Sequence, residues 1–184
     1  MKIKTSVDTR NMASFARRLR QSMPQAINHG LEVTGLAIVG DAVNIPPKPR
    51  IRTGMLRGSW AVVTKGKVAA KGPHTGGGEA KDIVTGEQST GSYWSDVTPD
   101  GVGDREALVG FNTPYAAKMH EKPKGEYKAG PFSSKKTQDT MRRRARWNKD
   151  AGPKFLQSKI ERYRARYARV FREAFLQKLQ EVVR

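Results

Sequence analysis

The residue types that most often carry chemistry are few in this chain, and their spacing matches no complete catalytic motif. There is no cysteine, which excludes disulfides, thiolate metal sites and cysteine nucleophiles. His120 and Glu121 resemble half of a zinc-binding HExxH motif, but the second histidine is missing. We therefore expect His120 to be a solvent-facing residue at the end of a helix. The other two histidines, His29 and His74, are far from it in the sequence.

Glycines and carboxylates crowd the middle of the chain without the spacing that phosphate binding or acid–base catalysis needs. Residues 72–78 are rich in glycine, but a phosphate-binding loop requires Gly-Lys-Ser/Thr at the start of a helix. Ser59 lacks the G-x-S-x-G pattern of a nucleophile elbow. We predict no catalytic residue, no metal ion and no cofactor, and a small hydrolase that uses the loop carboxylates is the least favoured alternative. Those carboxylates are Glu79, Asp82, Asp96, Asp100, Asp104 and Glu106.

Positive charge is the strongest signal of the composition. The 184 residues include 35 Lys plus Arg against 17 Asp plus Glu, a formal charge of +18, whereas a small soluble domain usually carries about 2–8 charges in excess. A nucleic acid, an acidic protein surface or an anionic membrane could balance this charge; the simpler alternative is a solvated basic surface. No apolar run of about 18 residues is present, so we expect no membrane span and no membrane partner. The N-terminus has no apolar stretch of the kind that a secretory signal needs.

The densest basic segment lies between residues 135 and 150, with seven basic and two acidic residues. Arginine suits phosphate through its planar fork, and Trp147 could stack on a base. Three interpretations stay open: contact with a nucleic-acid backbone, contact with an acidic protein ring, or a mobile solvated loop. The candidate contact residues are Lys135, Lys136, Arg142, Arg143, Arg144, Arg146, Trp147 and Lys149.

Two helices are predicted near the N-terminus of a single domain that spans residues 1–184. The first follows Asp8, and its apolar residues recur at helical spacing from Met12 to Met23. Ser22 is expected to cap the second helix, with Pro24 in its first turn and an end near Val43. Glycines at positions 30, 35 and 40 weaken that helix, so we expect another backbone to approach closely at these positions. The segment 46–49 then ends it because three of its four residues are proline.

Strands are predicted in the middle of the chain. They cover Met55 to Thr64, Val68 to Ala70 and Ala107 to Phe111, with a hairpin turn at residues 65–67. Residues 72–104, rich in Gly, Ser, Thr and Asp, are expected to form a flexible insertion. Tyr93 and Trp94 within it indicate either docking on a partner or a small local cluster.

The last third of the chain predicts a short helix, a loop and a long helix. Thr113 can cap the short helix, and a basic loop follows at about 122–152. From Pro153 an amphipathic pattern runs to Arg184, which would make a helix of about 48 Å. Tyr163 and Tyr167 on this helix are interpreted as core or interface residues and not as base-stacking ones. The predicted fold is α+β, with the N-terminal helices and the C-terminal helix on a small antiparallel sheet.

Three stretches combine a turn or cap with an apolar anchor, and their order is informative. Together they resemble the tail-completion or neck proteins of long-tailed double-stranded DNA bacteriophages, also called minor capsid or head–tail joining proteins. The resemblance covers most of the chain outside the two loops. The matching residues are Thr53, Gly54, Leu56 and Ser59, then Pro114, Tyr115, Ala116 and Glu121, then Pro153, Phe155 and Leu156.

The resemblance implies a structural protein of the virion, assembled in the host cytoplasm, and not an enzyme. It would form a homo-oligomeric ring, with a hexamer as the expected form, that completes the tail and joins it to the head. Neighbouring neck, tail-terminator or tail-tube proteins and the packaged DNA end are the implied partners. The alternative from the residues alone is a nucleic-acid-binding protein that reads backbone charge through its basic loop and C-terminal helix.

Overall fold

Two long helices and a small sheet make up the fold. The computed structural model describes residues 9–49, 55–73, 78–81, 88–91, 99–113, 116–121, 139–140, 143 and 150–183. Helix α1 (Thr9–Asn44) packs on a three-stranded antiparallel sheet and, along much of its length, on the C-terminal helix (Gln157–Val183). The predicted α+β class is therefore confirmed.

Helix α1 is continuous through the point where the sequence predicted a break, so the prediction of two N-terminal helices is wrong. The Ser22 hydroxyl does not cap a second helix, because its Oγ donates to the Arg18 carbonyl oxygen four residues earlier, at 2.7 Å. Pro24 removes one backbone hydrogen bond from the interior of the helix. The helix ends at Asn44, just before the cis peptide bond between Pro46 and Pro47.

Two glycines let α1 approach its neighbours closely. A Cβ placed on Gly35 would lie 2.5 Å from Val62 Cγ1 in the sheet, and one on Gly30 would lie 2.8 Å from the Phe171 ring of the C-terminal helix. The expected approach of another backbone is confirmed at Gly30, where a Cβ would lie 3.2 Å from the Phe171 carbonyl oxygen. It is wrong at Gly35, where the close atoms belong to the side chains of Val62 and Val109, and at Gly40, where a Cβ would meet nothing within 4 Å.

The sheet is built around its central strand. A short helix α2 (Met55–Gly58) leads into β1 (Trp60–Thr64), which pairs antiparallel with β2 (Lys67–Lys71). Ala61, Val62 and Val63 of β1 are at most 3 % exposed, so this strand supplies the centre of the core. The predicted strand over Met55 to Thr64 is correct only from Trp60 onward. The four residues Met55–Gly58 form a helical turn instead.

The predicted insertion at 72–104 contains two strands that the sequence did not predict. Strands β3 (Gly78–Lys81) and β4 (Gln88–Gly91) pair with each other as a separate antiparallel hairpin. The expected flexibility of the insertion stays a prediction. Strand β5 (Ala107–Phe111) has its predicted bounds and lies on the other side of β1 from β2, which gives the sheet order β2–β1–β5.

The C-terminal helix, α4 (Gln157–Val183), begins four residues later than predicted. Lys154 has a φ of 52°, a left-handed conformation that cannot belong to an α-helix, so residues 153–156 form turns. Its 27 residues span about 40 Å at 1.5 Å per residue. Before it come the short helix α3 (Ala116–Glu121) and, in the basic loop, helical backbone at Asp139, Thr140 and Arg143.

Candidate functional site

The three separated motifs meet at one place, which we call the junction. It joins the turn before β1, the step from β5 into α3, and residues 150–156. The Asn112 N–H donates to the Ser59 carbonyl oxygen at 2.7 Å, and the Lys154 N–H donates to the His120 carbonyl oxygen at 2.6 Å. Stretches that are 53 and 34 residues apart in the sequence therefore form one connected unit.

The first motif holds the start of β1 rigidly. Leu56 is 3 % exposed and Ser59 is fully buried. Both the Ser59 N–H (3.3 Å) and its Oγ (3.0 Å) donate to the Leu56 carbonyl oxygen, which ends the helical turn and lets the chain extend as a strand. Thr53 and Gly54 of this motif lie outside the described residues.

The second motif places α3 at the end of β5. The Ala116 N–H donates to the Thr113 carbonyl oxygen at 2.9 Å, so the turn closes through the backbone. Thr113 Oγ1 has no hydrogen-bond partner among the described residues, so its predicted side-chain cap is not formed there. Pro114 and Tyr115 lie outside those residues. At the far end of α3, His120 Nδ1 is 2.8 Å from Glu121 Oε1, and this hydrogen bond holds the pKa of Glu121 below its usual range.

The third motif supplies the central aromatic ring of the junction. Phe155 is 2 % exposed and meets the Phe111 ring edge to face, with centroids 5.2 Å apart. It also meets the His120 ring edge to face at 4.9 Å. His120 lies at the end of α3, as expected, but its side chain is only 20 % exposed because its ring packs on Phe155. Pro153 and Leu156, on either side in the motif, are half-buried.

The proline-rich step after α1 is tied to the same unit. Lys48 and Ala151 form a parallel bridge, with the Lys48 N–H donating to the Asp150 carbonyl oxygen at 2.9 Å. Arg57 Nη2 donates to the Pro49 carbonyl oxygen at 3.3 Å, and burial lowers the pKa of this guanidinium. Arg57 Nε and Asn112 Nδ2 are buried without a hydrogen-bond partner in the described part of the chain.

A polar contact inside the α1–α4 interface was not foreseen from the sequence. Asp41 Oδ2 accepts hydrogen bonds from Arg166 Nη1 at 2.7 Å and from Tyr167 Oη at 2.8 Å. Asp41 and Tyr167 are 8 % and 5 % exposed. Burial and the hydrogen bond to Asp41 raise the pKa of Tyr167 well above its usual range. The interpretation of Tyr167 as a core residue is confirmed by its burial.

Lys159 adds a buried cation near the start of α4. It is 1 % exposed, and its Nζ donates to the Pro47 carbonyl oxygen at 2.9 Å and lies 3.3 Å from Ser158 Oγ. Burial lowers the pKa of this ammonium group. A lysine among the many basic residues of an amphipathic helix would ordinarily lie on its solvated side, but Lys159 is buried. Its spacing from Arg162 gives no signal that separates a buried lysine from an exposed one.

The outer face of α4 is rich in arginine. Arg166 and Arg169 are three residues apart and share one side of the helix, whereas Arg162 lies before a kink at Tyr163, whose φ of −112° and ψ of 20° are not helical. Arg172 continues that row, and all four side chains are exposed. Arg166 also reaches Asp41, so its charge is partly balanced.

The first part of α1 has no covering element among the described residues. We call residues 9–21 the α1 arm. From Met12 to Gln21 every side chain is exposed except the half-buried Leu19, and Met12 and Phe15 are 64 % and 48 % exposed. Burial begins at Ser22 and Ala26, and one turn further on Gly30 lies against Phe171 of α4.

Most of the predicted contact residues lie outside the described part of the chain, so those predictions stay predictions. Of the basic segment only Arg143 is described; it is helical and exposed. The residues outside the described ranges are Tyr93, Trp94, Lys135, Lys136, Arg142, Arg144, Arg146, Trp147 and Lys149.

The described residues contain no group of three or more His, Asp or Glu side chains close enough to hold a metal ion. None of the helices in the described ranges is long and apolar enough to cross a bilayer. The described carboxylates 100, 104 and 106 are exposed, and two of them make local contacts: Asp104 with Lys65 Nζ at 2.7 Å and Glu106 with the Gly103 N–H at 3.1 Å. The described geometry is one of packing contacts and charged surfaces.

Comparisons with protein-family models, with curated proteins and with solved structures find no match for this chain.

Proposed function

We propose that this chain is a structural protein of the virion of a long-tailed double-stranded DNA bacteriophage, located in the tail or neck. Identical copies form a ring, with a hexamer as the expected form, that completes the tail and joins it to the head. DNA passes through the ring, and no reaction is catalysed. Neck, tail-terminator or tail-tube proteins are its neighbours, and the ring assembles in the host cytoplasm.

The observation that carries this proposal is the junction. The resemblance to neck proteins rests on three stretches, each of which is weakly specific when taken alone. Their union through the Asn112–Ser59 and Lys154–His120 backbone hydrogen bonds and the Phe111–Phe155 ring contact supports treating them as one structural signature. A set of packing anchors that holds helices on a sheet, and leaves the surface to neighbours, suits an assembly component.

The distribution of exposed side chains supports the same proposal. Met12 on α1 and Leu108 on β5 are 64 % and 56 % exposed. Large apolar side chains at such exposure cost little singly, but they favour burial against a partner when they lie beside complementary charge. A ring component needs at least two such surfaces, because each copy has a neighbour on either side.

The test is genetic and structural. Deleting the gene from the phage that encodes the chain is expected to leave DNA-filled heads and separate tails in negative-stain images. Purified protein added to such an extract is expected to restore joined, infectious particles, whereas a copy with an early stop codon is not. Mass spectrometry of intact virions should find the chain at a fixed copy number. Joined particles of normal infectivity without the gene would reject the proposal.

A second candidate function is sequence-independent binding of nucleic acid. The observation that favours it is the set of exposed arginines at positions 162, 166, 169 and 172 on α4, the last three of which follow the kink at Tyr163. Such a row can follow a phosphate backbone, and each arginine can bind phosphate through two N–H groups. This activity is compatible with a ring through which DNA passes, and it can also exist without one.

A further inference from the structure

The apolar stripe of the α1 arm is a continuation of an interface that already exists in the fold. Its residues follow one another at steps of four and three, the spacing that keeps side chains on one helix face. Toward the C-terminus that face is covered: Ala26 is fully buried, and Gly30 lies against the Phe171 ring of α4. Toward the N-terminus of α1, past the point where α4 ends, no described element covers the same face. The stripe consists of Met12, Ala16, Leu19, Met23, Ala26 and Gly30.

Charge limits what can cover the α1 arm. From Thr9 to Leu31 the chain has four arginines and no acidic residue. Two arms packed face to face would therefore bring eight positive charges together without a carboxylate between them, which like-charge repulsion disfavours. A surface that covers the α1 arm should offer an apolar contact for Met12 and Phe15 and negative charge for the arginines.

The chain itself carries such a surface. Residues 79–106 hold seven acidic and two basic residues, a net charge of −5 within a chain of +18. In its described part, Asp100, Asp104 and Glu106 are exposed, and Leu108 beside them is 56 % exposed at the edge strand β5. We call these four residues the acidic edge.

Leu108 faces away from the α1 of its own copy. Val109 lies toward α1, since a Cβ on Gly35 would be 3.3 Å from Val109 Cγ2. Because side chains alternate along a strand, Leu108 projects from the opposite face of the sheet, where it is 56 % exposed. Asp104 is paired with Lys65 Nζ at 2.7 Å, so a second molecule would compete with that lysine for it, whereas Asp100 and Glu106 are exposed without an ion pair to a described lysine or arginine.

We propose that the α1 arm of one copy docks on the acidic edge of a neighbouring copy. Met12 and Phe15 pack against Leu108, and Arg17, Arg18 and Arg20 meet the carboxylates of Asp100, Asp104 and Glu106. This inference rests on the proposed ring and names the surfaces that join its subunits. Because the two surfaces differ, the contact runs head to tail, and head-to-tail contacts form rings when the rotation closes.

The decisive experiment is charge reversal with mixing, read by light scattering after size-exclusion chromatography. The arm-reversed variant is Arg17→Glu, Arg18→Glu and Arg20→Glu; the edge-reversed variant is Asp100→Lys, Asp104→Lys and Glu106→Lys. Each variant alone is expected to be monomeric, with association weakened at least about 100-fold. An equimolar mixture is expected to assemble again, because every contact then joins opposite charges.

A matched control separates this effect from the change in total charge. Reversing Arg162, Arg169 and Arg172 to Glu alters the net charge by the same amount as arm reversal, yet the assembly should be unchanged. Circular dichroism checks that each variant keeps its helices. If wild-type assembly survives both reversals, or if the mixture stays monomeric while both variants are folded, the proposal is overturned.

Cysteine cross-linking provides a direct geometric test, because the chain has no cysteine of its own. Phe15→Cys and Leu108→Cys are prepared as separate proteins, mixed and oxidised. The expected product is a disulfide-linked pair that contains one copy of each variant, which no intramolecular bond can imitate. A pair formed by Phe15→Cys alone, in place of the mixed pair, indicates arm-to-arm packing and contradicts the proposal.

If a membrane or a different protein binds the α1 arm, the same measurements give a different result. Wild-type protein that stays monomeric but binds phosphatidylglycerol vesicles through the arm, or binds only an acidic neck protein, overturns docking between copies. Failure of the proposed function is a separate outcome: a protein that assembles through these surfaces while gene deletion leaves phage particles normal supports the contact and rejects the virion role.

Discussion

Tyr167 Oη donates a hydrogen bond of 2.8 Å to Asp41 Oδ2 across the interface between the two long helices. The same oxygen accepts from Arg166 Nη1 at 2.7 Å, so one buried carboxylate links two successive residues of α4 to α1. A buried carboxylate with two donors fixes the register of the helix pair, because sliding either helix by one turn would leave it unpaired.

Asp41→Ala is expected to lower the free energy of unfolding by about 2–4 kcal/mol, since it leaves the Tyr167 hydroxyl buried without an acceptor. Arg166→Ala is expected to cost less than about 1 kcal/mol, because its side chain is 51 % exposed and solvent screens the pair. Urea unfolding followed by circular dichroism measures both. Glu32→Ala, which removes the exposed Lys67 pair from the same helix, is the matched control and should also cost less than about 1 kcal/mol. Equal costs for Asp41 and Glu32 would contradict this account.

Tyr167 also predicts a loss of stability in alkali. Burial and the Asp41 hydrogen bond raise the pKa of Tyr167 above the ordinary value of 10.0. Above about pH 10 the unfolded chain releases the phenolic proton while the folded chain keeps it, so stability falls by about 1.4 kcal/mol per pH unit.

Tyr167→Phe should lack this component of the pH dependence. Lys159 has the opposite sign, because burial lowers its pKa and stability rises as the pH approaches its ordinary value of 10.5. That contribution is present in both proteins and cancels in the difference. Unfolding free energies of the wild type and Tyr167→Phe, measured from pH 8 to pH 11, should converge above about pH 10. Parallel curves across that range would rule out the raised pKa.

The glycines of α1 give a matched pair of substitutions with opposite signs. Gly40→Ala is expected to stabilise the protein by about 0.5–1 kcal/mol, because the site is open and alanine is the better helix former. Gly35→Ala is expected to destabilise it by about 1–3 kcal/mol, because the new methyl group would lie 2.5 Å from Val62 Cγ1 in the fully buried centre of β1. Thermal unfolding of the two variants should therefore shift in opposite directions. A stabilising Gly35→Ala would show that α1 can move away from the sheet.

Phe155 is expected to be the most sensitive single residue of the junction. Phe155→Ala removes a ring that is 2 % exposed and contacts both Phe111 and His120, so it should cost about 3–5 kcal/mol. Leu176→Ala, at a position 44 % exposed on α4, should stay within about 0.5 kcal/mol. Denaturant unfolding compares the two. A small loss of unfolding free energy in Phe155→Ala would mean that the three stretches are adjacent but do not stabilise one another.

The sequence predicted well those elements whose conformation depends mainly on residues close to them in the chain. The short apolar run Ala107–Phe111 predicted β5 with its observed bounds, and the Gly66 turn between β1 and β2 has the positive φ of 68° that a tight hairpin favours. The start of α4 was misplaced because Pro153 reads as a first-turn proline, whereas the left-handed backbone at Lys154 depends on the bond from its N–H to the distant His120 carbonyl oxygen. Such a bond has no local signature.

The site was harder to predict than the fold because its parts are joined by long-range contacts. Asp41 reads as a lone acid near a helix end, and only the antiparallel packing of α4 brings Tyr167 to it. Ser22 followed by Pro24 reads as a helix start, yet the Ser22 hydroxyl bonds back to Arg18 within one continuous helix. The bare α1 arm did have a sequence signal: an apolar stripe within a stretch, Thr9 to Leu31, that contains no acidic residue.

The arginine row of α4 makes a quantitative prediction about DNA. If it contacts phosphates, the logarithm of the binding constant for duplex DNA should fall linearly with the logarithm of salt concentration, by about 0.9 per phosphate contacted. Replacing Arg162, Arg169 and Arg172 with Gln should then reduce the slope by up to about 2.7. The matched control replaces the exposed Lys65, Lys67 and Lys71 with Gln, which removes the same charge from the sheet side of the fold. Fluorescence anisotropy with a labelled duplex between about 50 and 200 mM salt spans the range over which such contacts are lost. Equal slope changes in the two triple variants would assign any binding to net charge alone, whereas a change confined to α4 identifies that helix as the surface facing DNA.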